Sequence, residues 1–311
     1  MTDNLNGWRF KHGLDDDFME KLKVVATVPG WFADVLADPD LILAIRNNYV
    51  DVYRHGQRLF KIERNGRTGS LKFSTHPKYL VDPRLSKAVM FDGSAFQVGR
   101  HKALTTDYGP ETLNLMKRAA KLYSGGEKEG VHAVIRANPN VIDTEMAFNC
   151  EAEEEESNPS IPRIDLVCFE EVKGQIRLRF WEAKLYSNPE ICAAGDKEAR
   201  VVEQVRGYVD LIKKHRQEVL DSYRLVAGNL VEIASWAAPP RKVGELVQRA
   251  AAGEPFTIDE PPFVGLFIYD YDDAQGKSKR WKNHLGKLKA EILVRAAGNA
   301  KKIRLRGGDP A

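Results

Sequence analysis

The sequence predicts an α/β protein of the α+β kind, and three observations predict it. Alternating apolar and polar segments, punctuated by glycine-containing turns, fill residues 49–75. Two further β-rich runs, "RIDLVCFEE" and "QIRLRFWEAKLY", flank a Lys173-Gly174 turn. Helical apolar spacing surrounds that pair, most clearly at Val201, Val205, Val209 and Ile212.

Along the chain, helical spacing first runs from Trp31 to Ile45, interrupted near Asp38-Pro39. "YVDVYR", "QRLFKIE" and "GSLKFS" follow, separated by His55-Gly56 and Asn65-Gly66, which reads as a three-stranded antiparallel meander. These elements predict a small N-terminal α+β domain over residues 1–105, expected to set specificity, bind a partner or form a homodimer. Pro110 at an early position and Gly125-Gly126 as a stop bound a helix in "GPETLNLMKRAAKLYSGG". A second helix, "EKEGVHAVIRANPN", closes at Asn138-Pro139, and "VIDTEMAFN" is extended. The run Glu153 to Glu156 reads as a solvated loop, because four adjacent acids alternate direction and converge poorly on one ion.

After the hairpin come a long helical region from about Lys197 to Ser235, a buried strand in "PPFVGLFIYDYDD", and a basic amphipathic helix in "RWKNHLGKLKAEILVRAAGNAKK". The order from residue 127 is therefore helix, three strands, helix, strand, helix. A second domain is expected over residues 106–275, with a basic helical tail at 276–311.

Composition narrows the class. The chain has 311 residues, 43% hydrophobic and 29% charged, which is ordinary for a globular protein and wrong for a disordered or fibrous one. No apolar run approaches the roughly 20 residues of a membrane span, and the N-terminus lacks the basic-then-apolar order of a signal peptide. Cys150, Cys168 and Cys192 show no CxxC spacing, which argues against a disulfide framework or a zinc site. A cytoplasmic, reducing location without a membrane partner is the expectation. Residues 276–311 carry eleven Lys or Arg against Glu291 and Asp309, a net +9 in a chain of net +3. A basic tail on a mildly acidic body suits contact with a phosphate backbone, through Lys279, Arg280, Lys282, Lys287 and Lys289.

The stretch "RFWEAKLYSN" carries the chemistry. Residues two apart in a strand share a face, so Glu182 and Lys184 point to one side and Trp181, Ala183 and Leu185 to the other. If "RIDLVCF" pairs with this strand across Lys173-Gly174, Asp165 falls near Glu182 and Lys184. Two converging carboxylates repel unless a cation offsets them. A hard divalent ion such as Mg²⁺ does so and keeps waters that it can polarise, while a neighbouring lysine can orient or deprotonate a water and stabilise charge on a phosphoryl oxygen.

Arg163-Ile164-Asp165 followed by Glu182-Ala183-Lys184 resembles the signature of the PD-(D/E)xK nuclease superfamily, with Pro162 at a slightly longer spacing than the name implies. Gln204-Val205-Arg206-Gly207-Tyr208 resembles the QxxxY motif of its RecB-like branch, and the i, i+4 spacing puts Gln204 and Tyr208 on one helix face. "EKEGVHAVIRANPNVI" is similar to the first helix of many such nucleases.

The resemblance, which spans residues 127 to about 272, implies a restriction-endonuclease-like mixed β-sheet core flanked by helices. It implies a Mg²⁺-dependent phosphodiester hydrolase, with Mn²⁺ as a substitute, acting most readily on DNA in phage defence, restriction or DNA processing. It places Asp165, Glu182, Glu129 and the Ala183 carbonyl at the metal, with Glu127 as rival to Glu129 and His132 as an added ligand. Lys184 would serve the water, and Gln204 and Tyr208 would support the site. Two alternatives stand beside it: a catalytically inactive nucleic-acid-binding module on a nuclease fold, and an assembly protein using the meander as its interaction surface.

Overall fold

The computed structural model describes residues 8–80, 89–97, 107–150, 162–192 and 198–305. The acidic run Glu153 to Glu156 lies outside the described residues. The chain divides into two compact units: a meander unit of residues 12–125 and 225–243, and a site unit of residues 1–11, 126–224 and 244–311. Strand β1 (Trp8–Arg9) belongs to the site unit.

The meander unit opens with α1 (Asp16–Ala26), whose N-cap Asp15 accepts from the Phe18 amide at 2.8 Å, and α2 (Trp31–Ala37). A six-stranded antiparallel sheet then runs in chain order through β2 (Ile42–Ile45), β3 (Tyr49–Arg54), β4 (Gln57–Arg64), β5 (Leu71–Thr75), β6 (Val89–Phe91) and β7 (Phe96–Gln97). Helix α3 (Pro110–Leu122) follows, with Pro110 in its first turn.

The three expected strands are β3 to β5. His55 and Gly56 hold φ of +50° and +67°, the left-handed pair that a two-residue hairpin turn needs. The next turn is longer than expected: Asn65 donates from its amide to the Ser70 carbonyl at 2.8 Å, and the positive φ falls on Gly69. The expected helix from Trp31 to Ile45 ends at Ala37. Past Asp38-Pro39, Ile42–Ile45 pair with Val50–Tyr53 instead, so their backbone groups are satisfied in a sheet. Trp31 centres the core, its ring 4.9 to 5.3 Å from those of Phe32, Phe60, Phe73 and Phe91. Arg241, from the returning segment, donates to the carbonyls of Asp38 and Leu41.

The site unit begins its main run with α4 (Gly126–Ala137), β8 (Val141–Ala147), β9 (Asn149–Cys150), which pairs with β1, then β10 (Arg163–Val172) and β11 (Gln175–Leu185). Helices α5 (Arg200–Lys214), α6 (Arg216–Ser235) and α7 (Glu245–Ala251) lead to β12 (Phe256–Ile258) and β13 (Val264–Tyr269). The short α8 (Asp273–Lys277) and α9 (Lys279–Glu291) lead to β14 (Val294–Ala296). The boundary between units falls inside α6, after Arg224.

The sheet order is β14-β13-β11-β10-β8, with β12 also paired to β11. Pairs β8–β10 and β10–β11 are antiparallel, while β11–β13, β11–β12 and β13–β14 are parallel, joined through helices as parallel crossovers require. Two expectations are corrected here. The long helical region is two helices, broken at His215. The tail helix stops at Glu291, and Val294–Ala296 becomes a strand beside Leu266–Ile268, because apolar residues at a sheet edge are better buried there than on a solvated helix.

One face of this sheet carries Leu166, Cys168, Trp181, Ala183, Phe267 and Tyr269 against Val131 and Val134 of α4. Trp181 stacks on Phe267 with centroids 4.2 Å apart. On the other, Leu266 and Ile268 meet Val201 and Val202 of α5 and Trp281 and Leu288 of α9. Gly130 of α4 lies so close to the Tyr269 ring that a Cβ would collide with it. No helix among the described residues is long and apolar enough to cross a membrane.

Candidate active site

The hairpin sets the geometry. Lys173 and Gly174 hold φ of +52° and +74°, and the register then runs from Val172 opposite Gln175 to Leu166 opposite Trp181. Beyond that pair the strands continue into Asp165 and Glu182. The Ala183 amide donates to Asp165 Oδ2 at 2.9 Å, which pins that carboxylate across the strand gap.

Burial separates this arrangement from an ion pair on a wet sheet face. Asp165 is 5% exposed, Glu182 3% and Lys184 6%. Exposed pairs contribute little and cost little, whereas charges withdrawn from water must be held by specific partners. Trp181 and Ala183 are fully buried beneath them and Leu185 packs beside them, so the strand cannot rotate to release the charges.

The two oxygens of Glu182 have distinct environments. Its Oε1 accepts from Lys184 Nζ at 2.8 Å and from Gln204 Nε2 at 3.0 Å. Its Oε2 is buried and has no hydrogen-bond partner among the described residues. Lys184 also reaches Glu190 Oε2 at 3.2 Å. Gln204 donates to the Tyr208 hydroxyl at 2.7 Å, and that hydroxyl donates to the Arg163 carbonyl at 2.6 Å. Thus α5 grips both strands of the hairpin through the i, i+4 pair, and Gln204 holds the glutamate rather than the lysine.

Electrostatics follow from burial and these contacts. Burial pushes the Glu182 carboxyl well above the usual range, and the neighbouring Asp165 charge adds to the push, while Lys184 opposes it. Burial alone would lower the Lys184 ammonium; the Glu182 charge outweighs it and holds the group above an ordinary lysine. Lys184 is consequently a cation at neutral pH, suited to donating hydrogen bonds rather than removing protons. Burial also raises the Tyr208 hydroxyl, with the Glu182 charge as the next cause.

Helix α4 contributes residues that sequence reasoning did and did not single out. Glu127 accepts from Asn188 Nδ2 at 3.2 Å on Oε2, its carbonyl accepts from the Tyr269 hydroxyl at 2.5 Å, and its charge helps to raise Lys184. Glu127 is therefore within electrostatic reach of Lys184. His132 is buried, one turn beyond Glu129. Among the described residues no three His, Cys, Asp or Glu side chains converge as a metal-ligand group.

Lys128 and Glu145 went unnoticed in the sequence. Lys128 Nζ lies 2.9 Å from Asp165 Oδ1 and 2.5 Å from Glu145 Oε1. A lysine in the first turn of a helix opposes the helix dipole, and that was the available signal that it answers a carboxylate elsewhere.

Lys279, Arg280, Lys282, Lys287 and Lys289 are all exposed along α9, whose Trp281 and Leu288 are buried against the sheet. The basic tail is not uniform, however. Arg295 lies over the Trp181 ring at 4.7 Å and pairs with the buried Glu170 at 3.2 Å, so it serves the core. No family model, curated protein or solved structure matches the chain.

Proposed function

We propose that this protein is a metal-dependent nuclease that hydrolyses phosphodiester bonds, most readily in DNA, on a restriction-endonuclease-like core. One observation carries the reading: Glu182, almost wholly buried on the strand beside Asp165, leaves Oε2 without a donor among the described residues while Lys184 and Gln204 fix Oε1. A buried anionic oxygen with no partner is costly, and a hard cation is the ligand that relieves it. The antiparallel triplet β8, β10 and β11, with α4 before it and α5 crossing to the parallel β13, supports the fold that the motif implied.

The donor set suits Mg²⁺ or Mn²⁺: hard carboxylate oxygens from Asp165 and Glu182, with the Ala183 carbonyl and an α4 glutamate, Glu127 or Glu129, as further oxygen donors. His132 is the added nitrogen donor. Such an ion, when bound, polarises a phosphoryl oxygen and acidifies a bound water. The chain's own residues do the rest. Lys184, held charged by Glu182 and Glu190, donates to the attacking water or to a phosphoryl oxygen gaining charge. Gln204 and Tyr208 keep the Glu182 carboxylate in one orientation and tie it to the Arg163 backbone. The exposed cations of α9 bind the phosphate backbone. A part in phage defence, restriction or DNA processing follows from the class.

The test is incubation of pure protein with plasmid DNA, linear DNA and RNA, each with Mg²⁺, Mn²⁺ or EDTA. Cleavage that needs the metal and is lost in Lys184→Met and Asp165→Asn, with folding retained, is expected. Undiminished cleavage by both variants would overturn the assignment, and salt-dependent binding without any cleavage would make the protein a binding module.

A further inference from the structure

The register places a third carboxylate on the strand next to Asp165. On β8, Thr144 pairs with Leu166 and Met146 with Ile164, so Glu145 and Asp165 each lie between the same two paired positions of neighbouring strands. On β11, Glu182 follows Trp181, the partner of Leu166, and the Ala183 amide beside it donates to Asp165 Oδ2 at 2.9 Å. Glu145, Asp165 and Glu182 thus lie on three neighbouring strands, and two ammonium groups attend them. Lys184 attends Glu182, and Lys128 bridges Asp165 and Glu145. Glu145 keeps φ at +54° in mid-strand, a region that a non-glycine residue occupies only when its surroundings hold it there. The side chains of Glu145 and Asp165 are 10% and 7% exposed, and that of Lys128 is 31% exposed. The carboxylates are fixed, whereas the lysine can withdraw toward water along its flexible stem.

From this geometry we infer that Glu145 is a metal-site carboxylate alongside Asp165, and that Lys128 is a resident counter-cation which a divalent ion must displace to bind. The inference rests on the nuclease reading and adds to it a competition: Lys128 offsets the charge of Asp165 and Glu145 in the metal-free protein, and two positive charges replace its one when metal enters. The buried Glu182 Oε2, unpartnered among the described residues, points independently to a cation that the lysines do not supply.

Calorimetric titration of the full chain with MnCl₂, without nucleic acid, tests it. Lys128→Met should bind Mn²⁺ at least about fivefold more tightly than the parent, Lys128→Arg about as the parent does, and Glu145→Gln at least about fivefold more weakly; linked interactions of this kind commonly amount to that much or more. Circular dichroism and thermal melts establish that each variant folds, and Lys128→Gln replaces Lys128→Met if the latter does not. If Glu182→Gln abolishes Mn²⁺ binding while Lys128→Met leaves it unchanged or weaker, the role of Lys128 is refuted and the nuclease reading stands. If folded parent and variants alike bind no Mn²⁺, both readings fall.

Discussion

Gln204 donates to Glu182 at 3.0 Å while its neighbour one turn on, Tyr208, donates to the carbonyl of Arg163 at 2.6 Å, so one helix face holds the far ends of two strands. Removing either grip should have separable effects. Tyr208→Phe loses the hydrogen bond donated to the Arg163 carbonyl and the one accepted from Gln204, and should cost about 1 to 3 kcal/mol in chemical denaturation. Gln204→Ala should lower kcat about 10- to 100-fold, with DNA affinity within about twofold, because it loosens the carboxylate without touching the groups that bind phosphate. An unchanged kcat in Gln204→Ala would show that Lys184 alone orients Glu182.

Glu182 makes the metal-free protein sensitive to pH. Its folded pKa is raised above the ordinary 4.5 by burial and by Asp165. A group of this sign contributes stability that is fully present below its unfolded pKa and is lost as pH rises through the folded one. In EDTA, the Tm should therefore fall as pH climbs from about 4.5, and the fall should be shallower in Glu182→Gln. Lys184, also raised, keeps its charge across this window, since its contribution is lost only above the lysine range. Equal slopes from pH 5 to pH 8 in parent and variant would remove Glu182 from this account.

Gly130 lets α4 lie on the sheet. A Cβ there would strike the Tyr269 ring, whose hydroxyl is anchored on the Glu127 carbonyl. Gly130→Ala gains helix propensity of up to about 1 kcal/mol but overpacks the interface at a cost of about 1 to 3 kcal/mol. A net loss of stability is expected in urea, relieved when Tyr269→Leu is added. A stabilised single variant would mean that the helix can back away freely.

Charge reversal on α9 should act on affinity rather than on chemistry. Lys282→Glu with Lys289→Glu should weaken DNA binding and flatten the dependence of log K on log salt by about one unit for each phosphate no longer neutralised. An unaltered slope would place the nucleic acid elsewhere.

Much of the hairpin was legible because the information is local. Period-two alternation and a Lys-Gly turn determine which side chains share a face and which residues meet across the gap, and those terms act within about twenty residues. The i, i+4 spacing of Gln204 and Tyr208 is equally local. The continuation of the tail into β14 was not legible, since Val294–Ala296 is a strand only because β13 offers an unpaired edge. Nor was the change from helix to strand at Ile42–Ile45, where pairing with β3 overrides helical spacing.

What the sequence determined by itself was the adjacency of Asp165, Glu182 and Lys184, because backbone geometry leaves a two-residue hairpin few registers. What only the tertiary structure decided was how those charges are balanced. Lys128 is 37 residues from Asp165 and Glu145 is 20, and Glu182 loses its water only when α5 and the sheet close over it. Burial and long-range charge pairing belong to the folded surface as a whole, so no local pattern announces them.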